Sequence, residues 1–456
     1  MKEELKNLSE EILEELAEDL KDEADSIETV RDNLKITEKG KPRQTIENCL
    51  YVLQHDPILA GSICRNELTV RTEVTRKLPW KRRGELFTDT DENNVKLYLE
   101  KNYQLTSERI IRTALDIFSN ENSFHPIRQC LESLHWDGEN RIRHALSHFL
   151  GAEENDYVEQ VMQMHMLAAI ERIYHPGAKY DICLCLVGPQ GGGKSTFFRF
   201  LAIEDKWFTD DLKNLDDKNV FRQLQGHWFV EMAEMSATVN AKSVEEMKAF
   251  ISRQKETYKI PYERHPEDRP RQCVFCGTSN DMHFLPFDRS GNRRFAPVKI
   301  DPQKAEVHIL DNEQESRKYI LQMWAEAMAT YRKGDICLTF SKEMEEFATQ
   351  MQKDFMPEDT DLGMVELYLE EHNLQRTCIK QIYCDVFKHP VFDNVPIFQS
   401  KRIADILRTL GWADVGSRKF REFGSQKAWE PILKQEDDPL QGFHQIAFDE
   451  KIPFNT

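Results

Sequence analysis

Nine consecutive residues, Gly188, Pro189, Gln190, Gly191, Gly192, Gly193, Lys194, Ser195 and Thr196, carry the densest chemical signal in the chain. An apolar run from Tyr180 to Val187 precedes them, and a helix-like stretch to Ala202 follows. Strand, glycine-rich loop and helix, with the spacing Gly188-x4-Gly193-Lys194-Ser195, fit a phosphate-binding loop position by position. Glycines without Cβ let the backbone take positive φ and aim several N–H groups at phosphate oxygens. The first turn of the following helix adds the positive end of its dipole. Lys194 supplies a point charge for the β- and γ-phosphates, and the Ser195 hydroxyl suits Mg²⁺. The competing reading is a glycine-rich loop that binds nothing, and the apolar strand ahead of it weighs against that. The expectation is a nucleoside triphosphate site taking ATP and Mg²⁺.

Hydrolysis needs further groups, and the sequence downstream offers them. His227 to Val230 reads as a short strand running into Glu231 and Glu234. An acid at the end of such a strand can hold the metal, and a second can polarise the attacking water. We assign Glu231 to the metal and Glu234 to the water. Gln272 to Gly277 reads as the next strand, and Asn280 just beyond it suits γ-phosphate sensing. Cys273 and Cys276 lie three apart in that strand and so face opposite sides, which argues against zinc. Arg293 and Arg294 precede another apolar strand. They are either surface charges or, in a ring ATPase, a group that completes the neighbouring subunit's site. Between the two strands, Lys248 to Arg271 carries seven Lys/Arg against four acids. A helix and then a hairpin are expected there. Lys248, Arg253, Lys255, Tyr258, Lys259, Tyr262 and Arg264 would grip a nucleic-acid strand by charge and stacking.

The elements that must position these groups sit in a chain of 456 residues with a net charge of −18. That charge excludes wholesale coating of nucleic acid and leaves only local basic patches for it. No apolar run spans a bilayer, the opening residues lack a secretion-signal core, and the cysteines form no framework. A cytoplasmic protein without membrane contact is expected. Residues 1–34 read as an acidic amphipathic helix, and 35–176 as a mostly helical domain interrupted by one strand, Leu68 to Val74. Basic residues around Trp80 suit either a phosphate backbone or a solvated loop with the Trp packed inward. Trp136-Asp137-Gly138 reads as a turn with a buried Trp. His144 and His148 lie four apart without the Glu of a metalloprotease, so packing is the expected role. His175-Pro176-Gly177 then marks a junction.

The motifs from the glycine loop through WFVEMAEM, the basic segment, FCGTSND and DRSGNRRFAPV resemble the virulence-associated protein E family, as do HPIRQCLESLHWDGENRIR and the Trp80 region. That resemblance covers roughly Leu68 to Val298. It implies an AAA+ core similar to superfamily 3 helicases, ATP hydrolysis coupled to movement on DNA, and a hexameric ring with an arginine acting in trans. Residue by residue, it maps Walker A onto Gly188–Ser195, the Walker B acids onto Glu231 and Glu234, sensor 1 onto Asn280 and the finger onto Arg293 or Arg294. The segment around Lys259 and Arg264 maps onto the central-channel hairpin. The residues ahead of the core are too few for the primase domain of longer relatives, so priming is not expected.

The expected fold is α/β: an AAA+ P-loop NTPase core over 177–335, preceded by the helical domain. A lid helix and linker follow over 336–361, then a winged-helix-like DNA-binding domain over 362–434 and an acidic tail over 435–456. In the winged-helix-like domain, Lys401, Arg402, Arg418, Lys419 and Arg421 would face DNA, with a packing module as the alternative. The function expected is an ATP-dependent DNA helicase or replication-initiator ATPase of a phage or genomic island. Two rivals are an ATP-gated origin-binding switch without unwinding and a small-molecule kinase sharing the glycine loop.

Overall fold

The computed structural model describes residues 26–212, 220–233, 241–258, 267–285, 292–334 and 336–432. The expected acidic helix, for its greater part, and the acidic tail lie outside them. From Ser26 the chain builds a helical layer with its own apolar core. Helices Ile46–His55, Asp89–Tyr103 and Glu108–Glu121 bury Val52, Leu99, Tyr103, Ile111 and Phe118 there. They pack with a small sheet of β1 (Ile63–Asn66), β2 (Arg71–Val74) and β3 (Ser123–Phe124), ordered β2-β1-β3. The strand expected over Leu68 to Val74 is therefore only its second half. Asn66 Oδ1 accepts from the backbone N–H of Leu68 (2.9 Å) and of Thr69 (3.2 Å), which turns the chain into a hairpin.

A capping box starts the helix Asp89–Tyr103, with the Thr88 and Asp91 side chains each accepting the other's backbone N–H. The same Asp91 accepts from Trp80 Nε1 (2.9 Å) and Arg82 Nε (2.8 Å). Trp80 is thus tied inward, half-buried against this layer, and packing wins over base stacking.

The second sheet has five parallel strands, β4 (Cys183–Val187), β5 (Phe208–Thr209), β6 (Phe229–Met232), β9 (Val274–Ser279) and β10 (Phe295–Lys299), ordered β10-β4-β9-β6-β5. Every residue of β4, β6 and β9 is buried, the signature of a sheet covered on both faces. An antiparallel ribbon of β7 (Lys255–Tyr258) and β8 (Glu267–Pro270) stands between β6 and β9 in sequence, as the expected hairpin.

Where the sequence suggested a junction at His175–Gly177, the core runs straight through. Helix Asp156–Tyr174 buries thirteen of its residues, ten of them, Val161, Met166 and Ile170 included, in the cluster that holds Leu184, Phe198 and Val274. A helix apolar nearly all round has no free face with which to stand apart. Helix Glu313–Lys333 joins the same cluster, its Trp324 lying on Trp228 with ring centroids 4.4 Å apart. Truncating either ring would cost about 3–5 kcal/mol. Helix Lys342–Asp354 is pinned to the start of β10 and the turn before it, where Gln352 Nε2 donates to the carbonyls of Phe295 and Asn292, both at 2.8 Å. The helix expected as a lid is thus packed on the core. Trp136, expected buried, is half-buried, and its Nε1 donates to Glu139 O at 2.9 Å.

The chain divides after Pro357. The second unit runs helix Thr360–Glu371, β11 (Thr377–Cys378), helix Ile379–Asp385, helix Ile397–Thr409, β12 (Trp412–Phe420) and β13 (Gly424–Pro431). Its sheet order is β11-β13-β12, over a core of Val365, Ile382, Ile403, Leu407 and Trp429. Among the described residues, no helix is long and apolar enough to cross a membrane.

Candidate functional site

The turn from β4 into helix Lys194–Leu201 is the glycine-rich stretch. Gly191 and Gly193 hold φ of +79° and +82°, a backbone state open to glycine at little cost. Gly188 is glycine for a different reason. A Cβ there would lie 2.5 Å from Ile300 Cγ1 and 2.8 Å from its carbonyl oxygen. The loop is pressed against the segment after β10, while a Cβ on Gly191 would meet nothing within 4 Å among the described residues. One face of the loop is packed and the other is open.

Lys194 opens the helix yet is only 7% exposed. Its Nζ donates to the carbonyls of Gly188 (2.7 Å) and Pro189 (2.8 Å) and to Asn280 Oδ1 (2.9 Å). Burial lowers its pKa, and the nearby Glu231 opposes that shift. Glu231, fully buried, lies within β6 and not beyond its end as the sequence suggested. Its Oε1 accepts from Ser195 Oγ (2.7 Å) and Thr278 Oγ1 (2.6 Å). Its Oε2 is buried with no hydrogen-bond partner among the described residues. Burial raises the pKa of this carboxyl above the ordinary carboxylate value, against the two hydroxyl donors. A buried acceptor left unmatched costs about 1–3 kcal/mol, so the arrangement asks for a cation or a donor.

Thus Lys194, Ser195, Glu231 and Asn280, far apart in sequence, meet at one end of the parallel sheet. Glu234 lies outside the described residues. Sequence reasoning missed Thr278. It sits two residues before Asn280, and alternation along a strand puts both on one side. Hydroxyls ending an otherwise apolar strand, Thr278 and Ser279, were the available signal.

The two arginines separate. Arg294 is half-buried, its Nε bonded to Ser252 Oγ (2.8 Å) and 3.4 Å from Asp181 Oδ2. Arg293 is exposed and makes no ion pair among the described residues. In the basic segment, Lys248 is only 3% exposed, so the nucleic-acid contact expected of it is not presented to solvent. Lys255 pairs with Asp268, and Arg253 lies 3.8 Å from Glu256 at the surface. Tyr258 closes β7, while Lys259, Tyr262 and Arg264 lie outside the described residues. In the second unit, Lys401, Arg418, Lys419 and Arg421 are exposed, whereas Arg402 is held by Asp359 and Asp361.

A glycine-rich strand–loop–helix turn whose Ser195 bonds a buried carboxylate on a neighbouring strand of a parallel sheet defines a mixed α/β protein. Residues 131–357 match the model of the virulence-associated protein E-like domain, and this chain carries a domain of that family. No curated protein matches the chain. Among solved structures, two apo structures of the NrS-1 C-terminal region are similar, both with a TM-score of 0.46. One is 12% identical and covers 81% of this chain and 96% of its own; the other is 15% identical, with 81% and 95% covered.

Proposed function

We propose that the chain is an ATPase of AAA+ type that acts on DNA during replication of a phage or genomic island. The observation that carries this reading is the convergence of Lys194, Ser195 and the half-satisfied Glu231 on an open glycine loop. Strand order supports it, because β4 lies inside the sheet between β10 and β9, with its loop beside Asn280 after β9. Oxygen donors from a hydroxyl and a carboxylate fit Mg²⁺, and Ser195 with Glu231 would hold it. The ion, when bound, neutralises charge on the phosphates. The chain's own groups do the rest. Loop N–H groups cradle phosphate, and Lys194, once released from the loop carbonyls, pairs with it. Asn280 contacts the terminal phosphate, Glu234 orients water, and Arg293 reaches a neighbouring copy in a ring, a hexamer by family likeness.

The second unit supports DNA contact. A short strand, two helices and a two-stranded ribbon, in sheet order β11-β13-β12, match a winged helix. Three of its exposed basic residues, Arg418, Lys419 and Arg421, lie together at the turn end of the ribbon.

The test is ATP turnover with and without single-stranded DNA, with the assembled mass measured alongside. Turnover that rises with DNA and vanishes in Lys194→Ala is expected. Turnover retained in Lys194→Ala overturns the reading. If DNA-stimulated turnover comes without strand separation on a forked duplex, the chain is an ATP-gated switch and not a helicase.

A further inference from the structure

The three most exposed large apolar side chains among the described residues fall in one short stretch of the second unit: Phe392 is 87% exposed, Ile397 78% and Phe398 70%. Large apolar side chains gathered outside a core mark a binding surface. The chain around them is fixed. The Asp393 N–H donates to Pro390 O (3.1 Å), which closes a turn with Val391 and Phe392 at its tip. Lys380 Nζ donates to the carbonyl of Asp393, and the His389 ring stacks on Tyr383 with centroids 4.0 Å apart. Ile397 and Phe398 then open helix Ile397–Thr409. Ile403, Ile406 and Leu407 of that helix are buried, while Phe398, Lys401, Asp405 and Arg408 form its outward stripe. Phe398 and Lys401, three apart, are neighbours on that stripe.

Positive charge stands at the same end. The Arg408 guanidinium lies 5.4 Å from the Trp429 ring, and Trp429 pairs with Asp414 across the ribbon. Asp414, after the turn at Gly411, is thus level with Arg408 before it, so β12 runs back along the helix. From that level Phe398 is ten helical residues away, about 15 Å. Lys419 is five strand residues away in the same direction, about 17 Å. The ribbon's turn end therefore returns to the start of the helix. Lys401, Arg418, Lys419 and Arg421, exposed and in no ion pair among the described residues, outnumber the acids Asp393 and Glu422 there. Aromatic faces beside positive charges complement a polynucleotide. In a duplex the base faces are stacked on one another, so exposed rings meet them only on an unpaired strand. We infer that this end of the second unit binds single-stranded DNA in preference to duplex, with bases stacking on Phe392 and Phe398 and phosphates meeting Lys401 and the ribbon. This rests on the DNA contact proposed above and adds which form of DNA the unit takes and through which residues.

The experiment uses the full chain without nucleotide and reads fluorescence anisotropy on three probes: a single-stranded oligonucleotide, an abasic oligomer of the same length, and a duplex. In Phe392→Ala and Phe398→Ala the single strand weakens about tenfold each, the loss of one stacking contact. The abasic oligomer and the duplex bind as in the wild type, and the salt slope is unchanged because no phosphate contact is lost. Should an alanine variant lose its fold by circular dichroism, Phe392→Leu and Phe398→Leu carry the test, since leucine keeps the apolar bulk and removes the aromatic face. Single-strand affinity equal to the wild type in both variants overturns the inference, as does an equal loss on the abasic oligomer. A fall in assembled mass with single-strand binding intact also overturns it and assigns the surface to protein contact. Failure of the DNA reading looks different, because the wild type then binds none of the three probes.

Discussion

Changing Glu231 to Gln alters charge while keeping shape, and the structure says what should follow. The Gln carbonyl can still accept from Ser195 and Thr278, which now reach Oε1 at 2.7 and 2.6 Å. What disappears is a buried charge with one unmatched oxygen. Burial holds the Glu231 pKa above its unfolded value, so the folded chain keeps the proton more readily than the unfolded one. Stability from that preference is fully present below the ordinary carboxyl pKa and is lost as pH rises through the raised one. Each unit of difference removes about 1.4 kcal/mol once the group ionises. Without nucleotide, therefore, the wild-type melting temperature should fall relative to Glu231→Gln as pH rises from the ordinary carboxyl pKa through the raised one. With Mg²⁺–ATP at about a hundred times its Kd, the wild type should gain about 2.7 kcal/mol. The variant should gain only what ATP gives without the ion, and its turnover should drop by about 10²–10³. Parallel melting curves across the pH range, together with an equal response to Mg²⁺, would refute the assignment of Glu231 to the metal.

The arginines give a paired prediction. Arg294→Ala removes the contacts to Asp181 and Ser252 and should destabilise the fold by about 1–3 kcal/mol in urea melts, whereas Arg293→Ala should leave stability unchanged. Arg293→Ala should instead cut turnover by about 10³ or more, and only under conditions where the protein assembles. For the second unit, replacing Arg418, Lys419 and Arg421 together by Ala should weaken DNA binding for any sequence. The slope of log affinity against log salt should flatten by about two to three, read by fluorescence anisotropy across a salt series.

Much of the central site is legible in the sequence. A glycine run between an apolar strand and a helix has few structural solutions, so Gly188 to Thr196 located itself, and the polar groups after the next strands followed from strand periodicity. The basic segment declared its helix and ribbon for the same local reason. Local pattern could not say which of two adjacent arginines is tied down, since Arg294 meets Asp181 and Ser252 only through the fold. Nor could it show that Lys248 turns inward, that Thr278 shares the Glu231 oxygen with Ser195, or that helix Asp156–Tyr174 belongs to the sheet's core. The amino-acid sequence by itself determined the chemistry on offer, because residue type and near-neighbour spacing set that directly. Which groups are buried, paired or left waiting for a ligand was decided by tertiary packing, because burial and long-range contacts depend on segments that meet only when the chain closes.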